Sequence, residues 1–430
     1  MRITKLFWGF IGVGAGALLL NCCIPSREAI CPTDHECGAG TVCNLETHHC
    51  ESNSDGMEPP NDPPPPDMKP CTKQSDCGDN SACSAELAGQ PKCMNESELV
   101  YVRIPKDFTE QALCAGADGT HNSPYCTISE ALIKAQGTSV HLRLLPLPSG
   151  TTTFGSLDLS ATDMGSTTAI FVHGSYDPGT VGSPAELSSV KVSGGRSLTL
   201  LDLDLEQSSS DAASCSNGGY LTILRSRIAT ATGLGINATN CANLTVDRAY
   251  IEGNKGGAIR LSGTTSHAIS NSYIIGNGNA ARAEPAVSID NSAGVFESNT
   301  IAKNISTAST PGGIGCSSRG EPTRLRNCII LLNTMSSSPT QSQFQNGSSC
   351  IFGQSVVVGT ADTLAAQSVV NKEAAFVDAN AGNFKLDTTK PENSVCCLNT
   401  AGPTSAQRLF DFWGTRRLTP KSDIGAEELP

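Results

Sequence analysis

The chain has 430 residues, of which 38% are hydrophobic and 5% aromatic, together with 42 glycines and 19 cysteines. This mixture favours short strands and tight turns over thick helical cores. A formal charge of −12 argues against a nucleic-acid partner, because phosphates attract a basic surface. So many cysteines favour an oxidising compartment.

The first segment, residues 1–22, has the pattern of an export signal. Arg2 and Lys5 precede an uncharged run from residue 6 to residue 20, which is short for a membrane span. The run ends in Leu19-Leu20-Asn21-Cys22-Cys23, which resembles the lipobox of bacterial lipoproteins, with Asn21 where Gly, Ala or Ser is usual. The resemblance implies lipidation at Cys22 and an outer-membrane, cell-surface location. Ordinary secretion and an uncleaved anchor are the alternatives.

Two cysteine-rich modules follow, at residues 23–50 and 71–98. Each contains a set of four cysteines whose first two gaps are five residues long. The sets are Cys31, Cys37, Cys43 and Cys50, which follow Cys23, and Cys71, Cys77, Cys83 and Cys93. Modules this small bury too little surface alone, so we expect disulfides. Zinc is the alternative, suggested by His35, His48 and His49, although the cysteine gaps are longer than those of zinc sites. The modules resemble short repeats of myxobacterial surface lipoproteins.

Residues 51–70 separate the modules and include seven prolines. Such a segment favours extended polyproline II, so we interpret it as a stalk.

A larger domain is expected over residues 99–375, and it begins with a short helix. Thr127-Ile-Ser-Glu130 is a capping box, followed by apolar residues at helical spacing. This helix is expected to cover the open first turn of the domain, whose backbone groups are otherwise unpaired. Cys114 and Cys126 flank the helix and are expected to form a disulfide.

A repeat then dominates the chain. One apolar anchor residue recurs at spacings of 23, 23, 23, 27, 28 and 27 residues, at Leu205, Ile228, Ile251, Ile274, Ile301, Ile329 and Val356. Two recognisable strands per repeat, without a helical pattern between them, predict an all-β parallel β-helix. Asn at the third position after the anchor (Asn254, Asn277, Asn304) suits a left-handed turn with stacked amides. The pattern resembles the right-handed parallel β-helix repeat family, which includes pectate lyases and many bacterial surface proteins.

The last segment, residues 376–430, carries a further resemblance. Its ending Asp423-Ile-Gly-Ala-Glu427 is similar to the Asp-Ile-Gly-Ala-aromatic-Glu ending of anchored bacterial β-helix proteins, with Glu427 at the aromatic position. The resemblance implies a fold and a surface location, but no reaction.

The repeat also predicts columns of outward side chains about 4.8 Å apart. Asp202 is expected to stack on Arg225 and Asp204 on Arg227, with Arg248 next in the first column and with Tyr250 and Tyr273 continuing the second. Closely spaced carboxylates can hydrolyse glycosides or hold Ca²⁺, and the two tyrosines can stack on sugars. The alternative is a row of exposed ion pairs of little energetic weight. No metal is otherwise expected.

Cys215 and Cys241 occupy equivalent turns of adjacent repeats and are expected to form a disulfide. The sequence leaves open the oligomeric state and the pairing of five further cysteines, which are Cys316, Cys328, Cys350, Cys396 and Cys397.

We therefore favour a lipid-anchored surface protein without catalysis, whose β-helix displays or binds a polysaccharide or a protein and needs no cofactor. A polysaccharide lyase or glycosidase acting at the Asp202 face is the second hypothesis. The third is that the cysteine-rich modules bind a partner while the β-helix is a spacer.

Overall fold

The computed structural model describes residues 41–44, 49–52 and most of 71–429. The gaps after residue 71 are 72–75, 78–80, 85–91, 106–113, 136, 138, 146–152, 161–167, 177–186, 280, 282–283, 308–309, 318–321, 337, 342, 347–349, 358–368, 371–373, 399, 402–410, 416 and 418–421. The chain forms two compact units, residues 1–62 and 63–430. In the first unit, Thr41–Asn44 pairs with His49–Ser52 as an antiparallel hairpin. Cys22 and most of the first cysteine-rich module lie outside the described residues.

The second unit is built around three parallel β-sheets, which we call sheets A, B and C. Sheet A has ten described strands: Val100–Val102, Ser139–Leu144, Ala169–His173, Ser197–Leu201, Tyr220–Leu224, Asn243–Asp247, Ser266–Ser270, Gly294–Glu297, Thr323–Arg326 and Cys350–Gly353. Sheet B has eight: Asp204–Glu206, Arg227–Ala229, Tyr250–Glu252, Tyr273–Ile275, Thr300–Ala302, Ile329–Leu331, Ser355–Val357 and Val369–Val370. Sheet C also has eight: Ser156–Asp158, Ser189–Ser193, Ala213–Ser216, Ile236–Thr239, Ile259–Ser262, Val287–Asp290, Ile314–Cys316 and Phe344–Asn346.

From Ser197 to Asn346, each described turn of this solenoid contributes one strand to every sheet, so the fold is a parallel β-helix, as the repeat predicts. The prediction of two strands per turn was wrong, because a corner divides what the sequence presents as a single strand. In the clearest repeat, Asn243–Asp247 belongs to sheet A, and Tyr250–Glu252 belongs to sheet B. Arg248 lies between them with a left-handed φ of 54°.

The corner between sheets A and B repeats this left-handed residue on successive turns. Its members are Asp202, Arg225, Arg248, Asn271, Ser298, Asn327 and Gln354, all with positive φ. Left-handed backbone is costly for residues with a Cβ, although Asn and Asp tolerate it best. Arg at two of these positions leaves no obvious sequence signal.

Sheet B fixes the register of the turns. Leu205, Ile228, Ile251, Ile274 and Ile301 are successive partners, as the anchor pattern predicts. The prediction was wrong at the next turn, where Ile301 pairs with Ile330 and Ile330 with Val357. A turn of 29 residues shifts the pattern by one, so Ile330 takes the anchor position expected for Ile329.

A ladder of amides lines the corner after sheet B. Asn254, Asn277, Asn304 and Asn333 are completely buried, and each Nδ2 donates to the side-chain oxygen of the next residue at 2.8–3.1 Å, ending at Gln343. The stacked amides confirm that part of the prediction. The left-handed conformation belongs instead to the residue before each Asn, such as Gly253, Gly276 and Lys303.

Helix α1 (Ile128–Lys134) packs beside the first strands of sheet A. The Thr127 hydroxyl accepts from the Glu130 N–H at 3.1 Å, which caps the helix. Ile128, Ala131 and Leu132 join the main apolar core inside the solenoid.

Flanking segments cover two outer faces of the solenoid. The second cysteine-rich module, with a hairpin of Ala82–Cys83 and Cys93–Met94, packs against the first strands of sheet A through Ala82, Leu99, Tyr101 and Leu145. The C-terminal segment packs on the outer face of sheet B, where Ile275, Ala302 and Leu331 contact it. It contains a hairpin, Phe376–Asp378 with Asn383–Leu386, and helix α2 (Pro391–Cys396).

The remaining described elements are short. They are the strands Ile305–Ser306, Thr334–Met335 and Ser338–Gln341, and the 3₁₀ turns Glu96–Glu98, Cys114–Gly116 and Ala379–Ala381. No helix in the described part of the chain is long and apolar enough to cross a membrane.

Candidate functional site

Asp202 and Arg225 form a bidentate ion pair at the corner between sheets A and B. The Nε and Nη2 atoms of Arg225 donate to the two carboxylate oxygens of Asp202 at 2.8 and 2.9 Å. Both side chains are buried, with exposures of 3% for Arg225 and 0% for Asp202. Arg225 Nη2 also lies 3.4 Å from the carbonyl of Cys83, so the second cysteine-rich module closes over the pair. The register places these residues together as predicted, but the expected exposure was wrong.

Arg227 lies among three carboxylates on sheet B. Its Nη1 donates to the oxygens of Asp204 at 3.0 and 3.2 Å, and its Nε donates to Glu252 at 2.8 Å. Glu206 is 3.7 Å from Nη1. The Arg227 side chain is 23% exposed, so this cluster does reach solvent.

Burial controls the ionisation of Asp204. Desolvation raises the pKa of Asp204 to about 6, against the lowering effect of Arg227 and with the help of Glu206. The phenol of Tyr176 lies near this cluster, where burial and then the charge of Asp204 raise its pKa. Because Tyr176 precedes the recognisable repeats, its place here was not predicted.

Arg248 belongs to a third polar group, which the C-terminal segment covers. Its Nε donates to Asp247 at 3.1 Å, and Asp247 also accepts from the Asn271 amide at 2.8 Å. The Nε of Arg417 donates in turn to the Asn271 oxygen at 3.1 Å. Arg417 also pairs with Glu428 at 3.4 Å. Arg248 and Arg417 are each 2% exposed, so neither guanidinium faces solvent.

Tyr250 and Tyr273 pack against aromatic residues of the C-terminal segment. The Phe412 ring lies 6.1 Å from Tyr250 and 4.9 Å from Tyr273. Tyr273 is only 4% exposed, and its hydroxyl donates to Glu427 at 3.3 Å. The next residue, Trp413, is 40% exposed and lies 4.9 Å from the Lys385 ammonium. Of the two tyrosines, Tyr250 alone keeps part of its surface in solvent.

These carboxylates do not fit a calcium site. Ca²⁺ takes six to eight oxygen ligands. Both oxygens of Asp202 already accept from Arg225, and both oxygens of Asp204 accept from Arg227. A guanidinium therefore occupies the place that the cation needs.

The described cysteines are mostly in disulfides. Disulfides join Cys114 to Cys126 and Cys215 to Cys241, the two pairs that the sequence pattern predicts. Four further disulfides are Cys71–Cys83, Cys77–Cys93, Cys316–Cys350 and Cys396–Cys397. The sulfur atoms of Cys71, Cys77 and Cys93 lie within 4.8 Å of one another, a metal-like cluster, but each is in a disulfide.

Cys328 is the free cysteine among the described residues, and it is completely buried. Burial raises its pKa to about 12, so its thiol stays protonated and unreactive at neutral pH.

Comparison with known proteins agrees with the three-sheet solenoid. Residues 185–359 match the family model described as "Right handed beta helix region". The fold is thus a right-handed parallel β-helix. No curated protein matches the sequence. Among solved structures, the chain is similar to one titled "Crystal structure of pectate lyase Pel9A", with 11% identity, a TM-score of 0.43, and coverage of 76% of this chain and 96% of that chain. A likeness at this level says nothing about chemistry.

Proposed function

We propose that this chain is a lipid-anchored surface protein whose β-helix is a rigid, non-catalytic scaffold. The anchor is inferred from the Cys22 region and the surface location from the C-terminal ending. The β-helix supplies a long rod whose outer faces are partly covered by its own flanking segments.

One observation carries the non-catalytic part of the proposal. The buried Asp202–Arg225 pair lies beneath Cys83, and Arg248 lies beneath the C-terminal segment. An arginine that acts as a base, or a carboxylate that acts as an acid, must reach its substrate. Asp202 and Arg225 instead pair with each other out of solvent, and the buried Arg248 pairs with Asp247, so a structural role fits these three side chains best.

An activity assay tests this part against the lyase or glycosidase alternative. The mature protein and its Asp204→Asn variant are incubated with a panel of acidic and neutral polysaccharides, and new chain ends are counted. We expect no depolymerisation by either protein. Depolymerisation by the wild type that Asp204→Asn abolishes would establish the enzyme.

A fractionation experiment tests the anchor. Full-length chain and its Cys22→Ser variant are expressed in a bacterium with a lipoprotein pathway, and both are followed with a radiolabelled fatty acid. We expect label and outer-membrane association for the wild type only. Equal membrane association of both proteins, without label, would contradict lipidation.

Carbohydrate binding without cleavage is a second candidate, favoured by the exposed ring of Trp413. Aromatic faces beside hydrogen-bonding groups are suited to sugars, since the ring supplies apolar area while polar groups fix orientation. The partly exposed Tyr250 and the Arg227 cluster lie along the same face of sheet B.

Binding to the same polysaccharide panel is measured by affinity electrophoresis. Trp413→Ala is expected to weaken binding by at least about tenfold. Tyr220→Ala is the control: it removes an exposed aromatic ring on a different face, that of sheet A, and is expected to leave the affinity unchanged. Equal binding by wild type and Trp413→Ala would reject this site.

A further inference from the structure

The second cysteine-rich module lies over two histidines of sheet A. His141 and His173 occupy neighbouring strands, and His141 Nδ1 is 3.1 Å from His173 Nε2. The His141 ring stacks on Phe171 with centroids 4.3 Å apart. His173 is 1% exposed and faces the backbone of Cys83 in the module.

The charged groups around this pair are mainly cationic. Arg143, buried at 4% exposure, donates to the carbonyls of His173 and Gly174. Arg225 faces His173 from the next corner, and its charge is already neutralised by Asp202. The carboxylate that favours a charged His141 is Glu98, an exposed residue of the module; Glu96 acts on the neighbouring Tyr101.

A contact between two imidazole nitrogens needs one donor and one acceptor. When both rings carry a second proton, two N–H groups face each other and the hydrogen bond is lost. Even the first added proton places a cation in a buried site beside Arg143. The geometry therefore tolerates neutral histidines and opposes charged ones.

We propose that mild acid releases the second cysteine-rich module from sheet A by protonating the His141–His173 pair. The module keeps its two disulfides, Cys71–Cys83 and Cys77–Cys93, and so leaves as an intact unit tethered at Leu99. Release uncovers the corner that holds Asp202 and Arg225. The device is independent of the function proposed above.

The direction of the pH dependence follows from the difference in histidine pKa between the docked and the released module. Desolvation, then the charges of His141 and Arg143, holds the pKa of His173 well below its ordinary value and outweighs the raising effect of the Cys83 backbone. Desolvation also lowers the pKa of His141. Docking is therefore strongest above the free-histidine pKa of about 6.5 and weakens as the pH falls below it. A single histidine that stays neutral when docked weakens docking by about 30-fold at pH 5.

Hydrogen–deuterium exchange on the full chain tests the proposal between pH 7.5 and 5, with rates corrected for intrinsic pH dependence. We expect peptides from residues 71–98 to lose about 30-fold in protection at pH 5. Peptides from Tyr220–Leu224 and Asn243–Asp247 are expected to keep theirs, and protection is expected to return at pH 7.5.

Variants assign the effect to the pair. His173→Gln and, separately, His141→Gln are expected to abolish the pH dependence, whereas His121→Gln, which alters a partly exposed ring packed edge-on against Tyr101, is expected to retain it. Circular dichroism verifies that each variant folds. If His173→Gln does not fold, His141→Gln alone tests the proposal. Unchanged protection of residues 71–98 at pH 5, a uniform loss over the whole chain, or a folded pair variant with wild-type pH dependence would overturn the proposal.

Discussion

At the residue scale, the two predicted Asp–Arg pairs differ in what surrounds them. Asp202 and Arg225 are sealed from solvent, whereas Arg227 is partly exposed and keeps Glu206 and Glu252 as further partners. Removing one partner of a buried pair leaves an uncompensated charge, which destabilises a protein by about 3–5 kcal/mol. Asp204 is itself only 1% exposed, but its arginine reaches solvent, and such a pair is expected to contribute at most about 1 kcal/mol.

Asp202→Asn is therefore expected to lower the free energy of unfolding by about 3 kcal/mol or more. Asn tolerates the left-handed φ of 53°, so the backbone remains compatible. Asp204→Asn is the matched control, expected to lose less than about 1 kcal/mol because Arg227 retains Glu252. Denaturant titration at neutral pH measures both, and equal losses would show that the solvent exposure of the arginine does not distinguish the pairs.

Asp204 also gives a pH prediction. Its folded-state pKa of about 6 lies above the ordinary value of 3.8, so the folded protein binds more protons than the unfolded one between these values. The stability of the wild type relative to Asp204→Asn is expected to rise as the pH falls from 7 to 4.5. Unfolding free energies of both proteins across this range measure the difference. A constant difference would mean that Asp204 titrates normally.

The amide ladder gives a prediction for a single buried side chain. Asn277→Ala removes the bonds to Asn254, Asn304 and the Ile251 carbonyl, and leaves buried partners unsatisfied. We expect a loss of at least about 2 kcal/mol. The control is Asn279→Ala, which removes two exposed hydrogen bonds, one donated to the Lys255 carbonyl and one accepted from the Ala281 N–H. It is expected to change stability by less than about 1 kcal/mol. Comparable losses in denaturant midpoint would contradict the role of the ladder.

The sequence predicted individual residues well where spacing alone decides their place. The pairing of Asp202 with Arg225 and of Asp204 with Arg227 follows from a repeat of 23 residues, whatever the side chains are. The burial of Asp202 and Arg225 could not be predicted, because it depends on Cys83, more than a hundred residues earlier in the chain. The left-handed Arg225 was hidden for another reason: arginine carries no preference for that conformation.

At the scale of elements, the C-terminal segment covers the outer face of sheet B and excludes solvent from it. Phe412 is 3% exposed and contacts both Tyr250 and Tyr273, whereas its neighbour Trp413 is 40% exposed. Of these two adjacent aromatic residues, Phe412 packs against sheet B and Trp413 lies at the surface. The sequence showed the ending at Asp423 as a motif, but it did not show which sheet the segment covers.

Phe412→Ala is expected to destabilise the protein by about 3 kcal/mol, since it leaves a cavity under the segment. It should also increase proteolysis of residues 411–429 before the solenoid unfolds. Trp413→Ala is expected to cost less than about 1 kcal/mol. Thermal unfolding and timed proteolysis measure both variants, and a greater loss for Trp413→Ala would reverse the assignment.

At the scale of the whole molecule, each turn contacts mainly its neighbours. Stability in such solenoids is close to a sum over repeats and their interfaces, so a complete turn can be removed without destroying the rest. Tyr220, Asn243 and Ser266 are successive partners in sheet A, and the same spacing of 23 residues holds in sheets B and C over these turns.

Deletion of residues 243–265 is therefore expected to give a folded protein that is one strand shorter in each sheet. Ser266 then follows Ala242 in register, and Asn277 takes the place of Asn254, facing the Ile228 carbonyl. The Cys215–Cys241 disulfide lies outside the deleted segment. We expect a cooperative transition, lowered by about 2–10 °C because one interface is lost and Phe412 meets Arg227 in place of Tyr250.

The control deletes residues 243–254 at the same position. About half a turn is then missing, so a strand of sheet C would have to enter sheet A, and inward and outward side chains would no longer match. This variant is expected to aggregate. Circular dichroism, thermal unfolding and disulfide mapping compare the two deletions. If the deletion of residues 243–265 aggregated as readily as that of residues 243–254, the turns would not be independent units. Their stability would then depend on contacts that extend over several turns.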